Sequence, residues 1–199
     1  MGVAELFAAN VRDAQRMIEQ QPDNPMFRYE AATQRHNQAL LLIDAGPEEA
    51  DWRRFEELER ASLDDARALL VNHPTSRSYR VLENRTAQGI AAARCELGTP
   101  AEARRAIDEF IDLGELDLSS VALRAQLWAR WWLCLDRHEM GGDERERLQQ
   151  EARSRMYDDL EHAVSLGLRQ TSILKTSPVF EPFLYEPAFQ RLMDEIEQL

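Results

Sequence analysis

Shifted by 52 positions, this 199-residue chain lands on itself. Asp13-Ala14 falls on Asp65-Ala66, Met17-Ile18 on Leu69-Leu70, and Pro22 on Pro74. Phe27-Arg28 then falls on Tyr79-Arg80, Ala39 on Ala91, and Gly46 on Gly98. In order, these are an apolar helix stripe, a breaker, an aromatic at re-entry, a small packing residue and a helix-ending glycine. The residues between them have diverged, so what recurs is a structural plan. A helix pair that stacks on its own copy is the pattern of an α-solenoid.

Apolar residues recur at helical spacing along the whole chain, and no stretch alternates as a strand would. Helices are predicted over about 3–20, 25–45, 47–72, 77–97, 100–114, 119–138, 143–166 and 187–198, with a short helical turn near Ile173. Pro25, Pro47, Pro100 and Pro187 open helices at the position where a missing N–H costs least. Gly46, Gly98, Gly114 and Gly167 close them, and Ser119 or Ser120 is the predicted cap of the sixth. In the first helix the predicted core positions are Leu6, Val11, Ala14, Met17 and Ile18. The short connections imply antiparallel neighbours. The reading is one all-α domain over 1–199: an N-terminal helix (1–21), hairpins 25–73, 77–114 and 119–167, and a capping tail (168–199).

At the turn Gly98-Thr99-Pro100 and the following Ala103, Ile107 and Phe110, the chain resembles the tetratricopeptide repeat family. Gly46-Pro47-Glu48-Glu49-Ala50 is a weaker copy of the same turn. The 52-residue spacing exceeds that family's usual 34, and Ala87, Ile90 and Ala91 depart from its first-helix pattern. The end of the chain, from Asp159 to Gly167 and then Pro178-Val179-Phe180 and Pro187-Ala188-Phe189, resembles the closing segment of bacterial repeat regions that follow serine/threonine kinase domains. The resemblance implies a binding scaffold whose first helices line a concave face. Its alternative implication is a regulatory or dimerisation region beside a bacterial kinase.

The charge balance narrows the partners. Thirty-six acids against 24 bases leave a formal charge of -12, the reverse of the basic stripe that neutralises phosphates or a polybasic membrane anchor. Nucleic acid and membranes are therefore not expected partners. The start has no basic region followed by an apolar run, so no signal peptide is read there. Cys95 and Cys134, the only two cysteines, are too few for a disulfide framework, and a cytoplasmic location is expected.

Signs of chemistry are sparse. His36, His73, His138 and His162 are scattered, and Asp158 with His162 reads as a solvated helix pair. There is no phosphate loop, nucleophile elbow or His-Glu-x-x-His. Glu56-Glu57-Glu59 and Asp64-Asp65 read as a solvated face. The chain is thus expected to be non-catalytic and to need no cofactor or metal. Trp128, Trp131 and Trp132 share one side of the sixth helix and are expected to meet Tyr157, Phe180, Phe183, Tyr185 and Phe189 in a core. The alternative leaves Trp128 or Trp131 open as a binding anchor.

Charge sorts by helix. Residues 25–45 are neutral, while 77–97 and 120–138 each carry +2; 47–72 carry -4, 100–113 -2 and 143–166 -3. With the first helices inward, an acidic protein would present a comparatively basic groove, suited to an acidic or carboxylate-terminated peptide. Counting back from the turn glycines gives its candidate residues: Arg28, His36, Arg80, Asn84 and Gln88, with Arg124, Trp128 and Trp131 as looser equivalents.

Overall fold

A computed structural model describes residues 3–43, 47–114, 118–169 and 171–198. The protein is all-α, and among the described residues there is no strand. Its helices are α1 (Val3–Gln20), α2 (Pro25–Leu42), α3 (Glu49–Asn72), α4 (Arg77–Leu97), α5 (Pro100–Asp112), α6 (Leu118–Arg137), α7 (Gly142–Ser165), α8 (Thr171–Thr176) and α9 (Pro187–Gln198), with a 3-10 turn over Pro178–Phe183 before α9. No described helix is long and apolar enough to cross a membrane. The chain divides into two compact units, 1–97 and 98–199, so the predicted hairpin 77–114 contributes its halves to different units.

Local chemistry sets most helix ends. Thr99 and Glu102 form a reciprocal capping box, Thr99 Oγ1 accepting from the Glu102 N–H at 3.3 Å and Glu102 Oε2 from the Thr99 N–H at 2.8 Å, with Pro100 just inside. Gly114 and Gly167 take φ of 82° and 107° directly after α5 and α7, a region that disfavours a Cβ. α3 starts two residues later than predicted because Glu48, not Pro47, is its cap and exchanges hydrogen bonds with Asp51. Ser119 and Ser120 do not cap α6: both are inside it, and Ser120 is buried. The predicted stop at Gly46 lies outside the described residues.

In unit 1 each helix packs on the next along the chain, α1 on α2, α2 on α3 and α3 on α4. Alanines make the approach close: Ala31, Ala32 and Ala39 of α2 and Ala91 and Ala93 of α4 are fully buried. Around them Trp52, Phe55 and Leu58 of α3 fill one core cluster, and Ala66 with Leu82 another. The 52-residue repeat has a direct structural counterpart. Turn 21–24 closes by the Asn24 N–H donating to the Gln21 carbonyl at 3.1 Å, and turn 73–76 by the Ser76 N–H donating to the His73 carbonyl at 3.0 Å. Each has proline in its second position, where a fixed φ suits the turn. α1 departs from the expected burial: Ala14 is buried, but Leu6 and Met17 are exposed.

In unit 2, α6 packs on α5, α7 and the 3-10 turn. Its core is aromatic: Phe110, Phe180, Phe183 and Phe189 are buried, with Trp132 edge-on to Phe183 at 5.3 Å between ring centres. The expected inclusion of Tyr185 fails, since it is 91% exposed. The tail is fastened by polar locks. Tyr157 donates its hydroxyl to Glu186 at 2.9 Å, and Arg153 pairs with the same carboxylate at 3.2 Å. Burial, then the Glu186 bond, pushes the Tyr157 phenol above its ordinary value.

Candidate functional site

The predicted binding residues divide by burial. His36 lies on the buried α2 stripe with Ala32 and Ala39, and Asn84 on the α4 stripe with Ala87 and Ala91. Spacings of three and four residues turn both side chains inward, so neither faces a groove. Trp128 and Trp131 are each 2% exposed, which decides for core over anchor. Trp128 Nε1 donates to Asp159 at 3.1 Å and Trp131 Nε1 to the Pro100 carbonyl at 2.9 Å. Arg124 binds the same Asp159 at 2.6 Å. Arg104 lies 4.9 Å and 5.2 Å from the Trp128 and Trp131 ring centres. Burial opposes its charge, but hydrogen bonds to Glu151 and Asp108 outweigh that and hold its pKa above the ordinary value. This is structural machinery. Arg28 and Gln88 are half-buried and Arg80 is exposed, so these three keep surface for a partner, whereas the half-buried Arg124 is committed to Asp159.

The charge sorting by helix also has a different meaning from the one expected. Arg28 and Arg35 of α2 face Asp65 of α3, Arg94 of α4 binds Glu56 of α3 at 2.6 Å, and Arg124 of α6 binds Asp159 of α7. First-helix bases therefore meet second-helix acids within the fold. Glu56 and Glu59 are buried, against the solvated-face reading; only Glu57 of that trio is exposed. Glu59 is wholly enclosed, with both carboxylate oxygens on His36 Nδ1 at 2.9 and 3.0 Å. The bare Cα of Gly89 makes room: a Cβ there would stand 2.8 Å from Glu59 Oε1. Burial raises the Glu59 pKa, while the His36 hydrogen bond and attraction pull it down without overcoming burial.

What the structure brings together is the end of unit 1 where the two repeat-equivalent turns meet. A recess of about 280 Å³ there is lined by Pro22 and Asp23 of the first turn, Arg28 of α2, and Asn72 and His73 at the end of α3. Arg80, the repeat equivalent of Arg28, donates from Nε and Nη2 to the Pro74 carbonyl at 3.1 and 3.0 Å, one residue from His73. Tyr79 links the parts, its ring 5.8 Å from His73 and 5.4 Å from Tyr29. Arg28 stands 3.9 Å from Asp65, a carboxylate already bound by Arg35. His73 escaped the sequence reading because it lies between helices and so carries no periodic signal; its neighbour Pro74, a repeat landmark, was the available clue.

Among the described residues no group of three or more His, Cys, Asp or Glu side chains is placed to hold a metal. Compared with known proteins, the chain matches no protein family, no curated protein and no solved structure.

Proposed function

We propose that the chain is a non-catalytic, tetratricopeptide-like α-solenoid module that docks an extended acidic segment of a partner protein at the recess between turns 21–24 and 73–76. The observation that carries this reading is the pair of repeat-equivalent arginines at that recess. Arg28 and His73 line it, and Arg80 is fixed beside it by the Pro74 carbonyl with Nη1 uncommitted among the described residues. An arginine already oriented by a backbone acceptor loses less freedom on binding a carboxylate. Asn72 adds an exposed amide at the rim. Elsewhere the largely buried side-chain pairs His36–Glu59 and Arg124–Asp159 serve the interior.

The test is fluorescence anisotropy of the whole chain with labelled Asp/Glu-rich peptides, with free and amidated C-termini. Arg28→Glu and Arg80→Glu are each expected to weaken binding about tenfold, with both losses shrinking at high salt. Arg54→Glu, at an exposed position paired to Glu57, is the charge-matched control expected to bind as the parent does. Equal binding by all three variants, or none by the parent, would sink the assignment.

A further inference from the structure

Eight large apolar side chains are prominently exposed in the described chain, and five of them lie on α1 and α2: Leu6, Met17, Met26, Leu40 and Leu41. Single exposed apolar residues need no explanation, but a concentration on one helix pair does. Leu6 (45% exposed) and Met17 (47%) are eleven residues, or three turns, apart, so they lie on one line along α1. Asn10 and Asp13 sit between them on that line. Asn10 Nδ2 donates to Gln34 Oε1 of α2 at 3.5 Å, which sets this line beside the Glu30, Gln34 and Leu41 line of α2. The combined face is apolar at both ends and polar in the middle.

We infer that this α1–α2 face is a self-association surface, and that its occupant is a second copy of the chain lying antiparallel across a two-fold axis. The pattern is self-complementary. Antiparallel pairing of α1 with its copy puts Leu6 of one protomer against Met17 of its partner, and Asn10 against Asp13, twice over. A two-fold interface requires such reciprocity. Charge also permits this face. Residues 3–42 hold five acids and four bases, a net of -1, whereas the whole chain carries -12. Two identical acidic molecules meet with least repulsion where the surface is nearly neutral.

Sedimentation of the full chain across a concentration series tests this, with helicity followed by circular dichroism. A reversible dimer is expected, and the double variant Leu6→Glu/Met17→Glu is expected to raise its dissociation constant at least about 100-fold at unchanged helicity. Should the double variant misfold, cysteine pairing decides instead. The double variant Leu6→Cys/Met17→Cys is expected to form a covalent dimer under mild oxidation. The two new thiols of one chain are about 16 Å apart along α1, too far to bridge each other, and Cys95 and Cys134 are buried. Leu6→Cys alone is expected to stay monomeric in the same oxidation. A chain monomeric at every concentration, a dimer indifferent to the glutamates, or cross-linking by Leu6→Cys alone would each overturn the proposal.

Discussion

Replacing His36 with alanine is expected to destabilise unit 1 by roughly 3 kcal/mol at pH 7, with a penalty that shrinks as the pH falls. Glu59 has no exposed surface, and His36 Nδ1 is the partner that faces its carboxylate. Without that partner the folded state must hold Glu59 protonated. Protonating a carboxyl of ordinary value 4.5 at pH 7 costs about 3.4 kcal/mol, and about 1.4 kcal/mol less for each unit of acidification. The sign agrees with the parent protein. Its Glu59 pKa is already raised by burial, so the folded state binds this proton more tightly than the unfolded chain does. That contribution is fully present below the ordinary value and is lost as pH rises through the folded one. Removing His36 deletes both influences that lower the pKa, so the pH slope steepens; Glu59→Gln should flatten it. Urea unfolding at pH 5, 6 and 7, read from amide exchange in α3, measures all three. A His36→Ala penalty that grows on acidification would refute the account.

Gly89 supplies the companion test. Alanine is the better helix former by about 1 kcal/mol, yet Gly89→Ala is expected to destabilise by about 2 kcal/mol. The new Cβ would meet Glu59 Oε1 at 2.8 Å, and an enclosed carboxylate has nowhere to swing. In a Glu59→Ala background the same substitution should stabilise by about 1 kcal/mol. A double-mutant cycle on these two positions reports that reversal directly.

The second large effect is expected in unit 2. Asp159→Ala leaves the buried Trp128 indole N–H without its acceptor and removes the carboxylate that Arg124 binds, at an expected cost of about 3 kcal/mol. Asp159→Asn keeps an acceptor for the indole and is expected to cost about half as much. The Trp128 indole proton should move upfield in the alanine variant and far less in the asparagine one. Denaturant unfolding gives the energies; equal stability of the two variants would show that the charge, not the acceptor, dominates.

Helices were legible where punctuation is local. Pro25, Pro100, Pro187, Gly114 and Gly167 act through φ and a missing N–H, effects contained within a few residues. The burial of Glu59 was not legible, because its causes are remote: His36 stands 23 residues before it and Gly89 lies on the next helix. In sequence, Glu56 and Glu59 look like any exposed acidic face. Leu6 and Met17 show the opposite failure, since an apolar residue flanking the packed stripe has the same spacing as one within it. For the site, counting from the turn glycines puts Arg28 and Arg80 at equivalent positions that keep exposed surface, because the repeat fixes their spacing. It misplaced His36, Asn84, Trp128 and Trp131, whose stripes of small neighbours set the rotation of each helix.

The stepwise packing of unit 1, each helix on its successor, bears on how the chain acquires its structure. Partners close in sequence need only short loops to meet, so little chain entropy is lost before the first contacts form. Assembly can start at the α3–α4 pair, where Trp52, Phe55 and Leu58 of α3 share a core cluster with Ala93 of α4, and spread outward one helix at a time. Loss of structure would run in reverse: α1 peels away first while α3 keeps its amide protons longest.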